Sequence, residues 1–224
     1  MAGELDGPRL APKSGSAQQL VVFLHGYGAD GNDLIDIGKA WQDRLPDAAF
    51  VSPHAHQPCA GAPYGRQWFP LTFRVPNERW NGVQAARPVL DGFLDAELHR
   101  QGLTHRHLAL VGFSQGTMMA LHTGLRRKVA PSAIVGYSGV LVGPDGEAFT
   151  EMRPEITSRP PVLLVHGDRD EVIPHQALGY SVAGLTELGV PVEFHLSHGI
   201  GHGIDGDGLR LGGDFLARSF QHQE

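Results

Sequence analysis

Six short apolar runs recur along the chain, at residues 20–24, 48–51, 108–113, 133–137, 162–166 and 192–196. None shows the strict alternation of a strand wetted on one face, so the pattern predicts strands buried on both faces, as in a parallel sheet. Between most of them lie stretches of helical period: 33–45, 83–100, 115–127, 176–188 and 209–220. Strand followed by helix, repeated, predicts an α/β fold with helices on both faces of a mostly parallel central sheet. Pro88 is expected to mark a first turn or a kink of the second helix. Two connections, 52–81 and 138–160, are longer than joining adjacent elements requires, which makes them candidate walls of a site.

The 224 residues, 41% hydrophobic and 19% charged, suffice for one domain with a sizeable core. We expect a flexible leader over 1–18 and a single domain over 19–224, without a separate cap domain. Net charge is −6 and no long run of like charge occurs, which argues against a nucleic acid partner. No apolar stretch is long enough to span a membrane, so integral membrane association is not expected. The single cysteine, Cys59, can form no internal disulfide and leaves no cysteine pair for a structural zinc. A cytoplasmic protein is the expectation.

Chemistry concentrates at strand ends. Gly112-Phe113-Ser114-Gln115-Gly116 matches G-x-S-x-G directly after the run 108–113 and directly before the helical stretch 115–127. A serine on so sharp a strand-to-helix turn presents its hydroxyl at the sheet's C-terminal edge, and the new helix aims its first N–H groups at the same spot. The structural alternative is a helix-capping serine. A hydroxyl nucleophile needs a base and a group that orients the base, in this architecture following the serine as acid and then histidine. Asp168 and Asp170 follow the run 162–166, and His198 and His202 follow the run 192–196, so strand ends that share one crevice supply the set.

These residues resemble the α/β-hydrolase fold, and within it the phospholipase/carboxylesterase family, which includes acyl-protein thioesterases. The marks are Leu24-His25-Gly26-Tyr27-Gly28-Ala29-Asp30-Gly31, the segment GFSQG, Ser138-Gly139, the segment H-G-x-x-D-x-V-x-P ending at Pro174, and Gly-Ile-Gly-His ending at His202. The resemblance implies Ser114 as nucleophile, Asp170 as acid and His202 as base. Asp168 then becomes a turn former whose carboxylate bonds nearby backbone N–H groups, and His195 a structural residue within its strand. It places oxyanion donors at the backbone N–H groups of Gln115 and Tyr27, where the family usually has Leu at the second position, and makes His25 a loop organiser.

In the long loop with Tyr64, Trp68, Phe69, Leu71, Phe73 and Trp80, the resemblance sets Trp68 and Phe69 beside the acyl site. Leu71, and Leu141 from the other long loop, are further pocket candidates. A satellite core beneath the loop is the alternative for such residues. The implied activity is a serine-dependent carboxylic ester hydrolase acting through an acyl-enzyme on small or medium acyl esters. An acyl-protein thioesterase or lysophospholipase would use the same triad. No cofactor and no metal is required.

Gly26 to Gly31 also fits G-x-G-x-x-G, but the following strand ends in Ser52-Pro53-His54 rather than the acid that would hold a ribose. His195, His198 and His202, or His54 and His56, suggest a metal, yet a strand and a Gly-rich loop give these spacings no convergence. A hydrolase-like protein that only binds its ligand is disfavoured by the complete triad. An apolar rim around such a cleft would serve a lipid or a second copy of the chain equally well, so a homodimer stays open.

Overall fold

The structure, a computed structural model, describes residues 5–72 and 74–221. Its strands are β1 (Arg9–Leu10), β2 (Gln19–Leu24), β3 (Ala48–Val51), β4 (Gln57–Cys59), β5 (Ala62–Gln67), β6 (Leu108–Phe113), β7 (Ala133–Tyr137), β8 (Val162–Gly167) and β9 (Val192–Ser197). The helices are α1 (Ile35–Trp41), α2 (Glu78–Gln101), α3 (Gln115–Gly124), α4 (Gln176–Glu187) and α5 (Gly206–Gln221). Seven strands form one sheet in the order β1-β3-β2-β6-β7-β8-β9, parallel throughout except for β1.

The pleat divides the core. Leu20, Val22, Leu24, Leu110 and Ile134 face Leu90 and Leu94 of α2, Met119 of α3 and Leu185 of α4. Their neighbours Val21, Phe23, Val111 and Val135 face Trp41 of α1 and Phe215 and Leu216 of α5. Continuous apolar runs are therefore the sequence of a sheet covered on both sides. β9 departs from this expectation: Glu193 and Phe194 are exposed, because β9 is the last strand of the sheet and has a neighbour only at β8.

Four further features differ from the sequence reading. Residues 5–18 belong to the expected flexible leader, yet β1 pairs with β3, Leu5 is buried, and Arg9 reaches Glu97 of α2; residues 1–4 lie outside the described part. The connection 52–81 contains the β4–β5 hairpin, whose prolines and glycines hide any alternation. Helix α2 begins at Glu78, so Pro88 lies mid-helix, where its exposed position keeps the ring off the core. The connection 138–160 carries a short 3-10 turn at Phe149–Glu155.

Candidate active site

The site grows from the end of β6. Ser114 donates its N–H to Tyr137 O of β7 at 2.9 Å, extending the ladder by one residue, then turns to φ 52° and ψ −114° as α3 begins. A non-glycine residue in that region is strained and persists only where its surroundings hold it there. Here they leave no room: a Cβ on Gly116 would lie 1.7 Å from Leu24 O, and one on Gly112 would lie 2.4 Å from Gly116 O. The two glycines of G-x-S-x-G are thus imposed by close approach of β2, β6 and α3. Thr117 Oγ1 ties the turn from within, 2.8 Å from Gly112 O and 2.9 Å from Tyr137 O.

The loop after β2 is organised by His25, which is fully buried. Its Nε2 accepts from Ala55 N at 3.0 Å, so its Nδ1 carries the proton and donates to Gly26 O at 2.8 Å. Burial pulls this imidazole down to about 4, which keeps it neutral. The hairpin holds the same loop from outside: Gly28 N donates to Arg66 O at 2.9 Å, and Arg66 N to Ala29 O at 2.7 Å. The thiol of Cys59, beside the Tyr27 hydroxyl, raises the pKa of that hydroxyl.

Trp68 and Phe69, expected beside the acyl site, are instead fully buried beneath it. Trp68 Nε1 donates to His25 O at 2.9 Å, Trp68 N donates to Gln115 Oε1 at 2.9 Å, and Gln115 Nε2 donates to Phe69 O at 2.8 Å. An indole with a polar edge suits such a post, since its N–H finds a partner inside. This segment therefore clamps the Tyr27 loop and the start of α3 to each other. Leu141 is also buried, its N–H held by Ser181 Oγ at 2.9 Å. The side chains that line the cavity at Ser114, about 410 Å³ in volume, include Leu71, Met118, Val140, Ile173 and Arg79. Phe73 lies outside the described residues.

Asp170 is enclosed in the loop leaving β8. Its Oδ1 accepts from Val172 N and Ile173 N, both at 2.8 Å, and its Oδ2 accepts from His202 Nδ1 at 2.7 Å. Burial pushes the carboxyl upward, but the bonds from His202, Ile173 and Val172 outweigh it and hold it below the ordinary range. An imidazole fixed in this way presents Nε2 as a base. The ring of His202 packs 4.9 Å from that of Phe113, next to Ser114, and Ser138 Oγ donates to Gly203 O at 3.2 Å.

Asp168 and His198 form a separate surface pair: Asp168 Oδ1 accepts from Gly199 N at 2.7 Å, while Oδ2 lies 3.1 Å from His198 Nδ1. His195 is half-buried within β9. Among the described residues no group of three or more His, Cys, Asp or Glu side chains could hold a metal ion.

Sequence reasoning missed His166. Its buried Nε2 lies 2.8 Å from Ile173 O and 3.3 Å from Asp170 Oδ2. The signal was present, because His166 opens the same segment that contains Asp170. Arg79 was missed as well, for a lone arginine at the start of a helix has no pattern to mark it.

The family described as Phospholipase/Carboxylesterase matches residues 5–219. The chain is 27% identical to acyl-protein thioesterase 1 of Neurospora crassa, over 93% of this chain and 90% of that protein. It is 28% identical to esterase YpfH of Escherichia coli K12, over 89% of this chain and 82% of that protein. Among solved structures it resembles esterase PE8, with a TM-score of 0.90 and 44% identity over 96% of this chain and 99% of that one.

Proposed function

This chain belongs to the phospholipase/carboxylesterase family, and from that premise we propose that Ser114, His202 and Asp170 are its catalytic triad. It is a serine-dependent carboxylic ester hydrolase of the α/β-hydrolase fold. Ser114 Oγ attacks the ester carbonyl while His202 Nε2 takes its proton, and Asp170 holds the imidazole in the Nδ1–H tautomer. The backbone N–H groups of Tyr27 and Gln115 receive the oxyanion. The alcohol leaves with the proton from His202, and water, activated by the same nitrogen, releases the acid from Ser114.

The 2.7 Å bond between His202 and a buried, ionised Asp170, beside a serine held at positive φ, carries this reading. We treat residues 5–221 as one catalytic unit, supported by the family match from residue 5 and by β1 joining the main sheet. The buried, unpaired Cys59 supports a reducing compartment such as the cytoplasm. Among the described residues no helix is long and apolar enough to cross a membrane. A thioester fits the same steps with a thiolate as leaving group. Comparing an oxygen ester and a thioester of one acyl chain decides which is preferred.

Ser114→Ala tests the assignment. Hydrolysis of a p-nitrophenyl ester should fall by about 10⁴-fold or more. The thermal midpoint should stay within a few degrees or rise, as the smaller side chain leaves the fold intact. Turnover at the wild-type rate would overturn the role of Ser114.

A further inference from the structure

We propose that the substrate carries an anionic group, joined to the ester carbonyl through an apolar spacer, and that Arg79 receives that anion. The inference rests on the esterase reading above and adds the substrate class to it. The cavity at Ser114 is also lined by Arg79, and Arg79 is the only charged residue among its described lining side chains. Met118, Val140, Ile173 and Ala177 line the same cavity, and they would cover methylene or aryl groups and offer no charge to an ionic one.

Arg79 sits in the first turn of α2, and its guanidinium forms no hydrogen bond or ion pair with another described residue. Arg9, Arg126 and Arg127, by contrast, are matched to Glu97, Glu155 and the pair Asp91 and Asp95. The carboxylate beside it in the chain and one that bonds the residue before α2 are engaged by other donors. Glu78 Oε1 accepts from Thr72 N at 2.8 Å and from Thr72 Oγ1 at 2.6 Å, while Asp145 Oδ2 accepts from Asn77 N at 2.6 Å.

Because Arg79 is exposed, it marks the mouth of the cavity, so the anion it pairs with keeps part of its hydration and escapes the cost of burying a charge. The chain as a whole is negative at −6, so a preference for anionic esters cannot come from its overall field. It must come from a local cation, and Arg79 is the one placed to supply it.

Two pairs of esters test the proposal and locate the charge. In the first, p-nitrophenyl hemiglutarate is compared with p-nitrophenyl hexanoate, which puts the carboxylate on the acyl half. In the second, the butyrate ester of meta-hydroxybenzoate is compared with that of meta-hydroxybenzamide, which puts it on the alcohol half. We expect the charged-to-neutral ratio of kcat/KM, in one pair, to be about fivefold higher in the wild type than in Arg79→Gln. The difference should reside in KM, shrink at high salt and return in Arg79→Lys. The pair that responds assigns the half of the substrate that faces Arg79. Equal ratios in wild type and Arg79→Gln for both pairs would overturn the proposal. The esterase reading is judged separately, by loss of neutral-ester turnover in Ser114→Ala.

Discussion

At the ends of β8 and β9 two histidine–aspartate pairs stand side by side, built from the same residue types by the same two loops. Asp168 and His198 meet at 3.1 Å with 28% and 85% of their side-chain surfaces open to water. Asp170 and His202 meet at 2.7 Å with 0% and 19% open. Hydrogen bonds depress both carboxyls: Asp168 owes the shift first to His198 and then to Gly199 N–H, while Asp170 must first overcome its own burial. In the exposed pair water competes for each charge and little is gained by the contact. In the enclosed pair the carboxylate has no water to turn to, so its charge goes to the donors around it, of which the imidazole of His202 is the nearest. Enclosure, rather than composition, separates a surface contact from a relay.

The largest test of this contrast is to neutralise each carboxylate in turn. Asp170→Asn should lower kcat by about 10³-fold to 10⁴-fold, because the amide lets the imidazole take the wrong tautomer. Asp168→Asn should stay within about twofold of wild type, as expected of a surface substitution away from the cavity. Steady-state kinetics on a single p-nitrophenyl ester separate the two. A severe loss confined to Asp168→Asn would reverse the assignment.

The contrast also explains what the amino-acid sequence made legible. Residues 108–113 and 115 onward show where strand and helix meet, since a doubly covered strand is continuously apolar and the G-x-S-x-G glycines are forced by close backbone approach. Choosing Asp170 over Asp168 came from likeness to a family, because spacing carries no record of which carboxylate is enclosed. The amino-acid sequence leaves Trp68 and Phe69 open between the acyl site and a satellite core for a related reason: an aromatic pair on a loop reads alike whether it faces a ligand or the protein. Only the hydrogen bonds from Gln115 and to His25 reveal that the pair lies underneath. The β4–β5 hairpin was hidden because its strands are short and broken by Pro58, Pro63 and Gly65.

A third case sharpens the comparison: a titratable ring that is buried without donors or a partner charge. His122 of α3 is buried against Trp80 in an edge contact of 5.4 Å, and its Nδ1 has no hydrogen-bond partner among the described residues. Burial first, and then the charges of Arg126 and Arg87, push it down to about 2. Its folded value therefore lies below its unfolded one. The contribution to stability is present above the unfolded value of about 6.5 and is lost as pH falls toward the folded one. Lowering pH from about 7 to about 5 should cost about 2 kcal/mol through this residue. In His122→Leu the acid loss measured by urea denaturation should shrink by that amount. An unchanged pH dependence would show that the ring is not held neutral.

The smallest effect concerns the second imidazole on Asp170. His166 Nε2 faces two acceptors, Ile173 O and Asp170 Oδ2, so it carries the proton and donates toward both. It thus anchors the loop that brings the N–H groups of Val172 and Ile173 to Asp170, and it draws part of the carboxylate's charge away from His202. Removing it should loosen the carboxylate and concentrate that charge on His202. His166→Leu is expected to lower kcat about tenfold, equivalent to about 1.4 kcal/mol, with KM little changed. His166→Gln, whose amide nitrogen falls near the position of Nε2, should restore the rate. Equal losses in His166→Leu and His166→Gln, or none in either, would reduce His166 to a packing residue and leave the enclosure of Asp170 to its backbone donors alone.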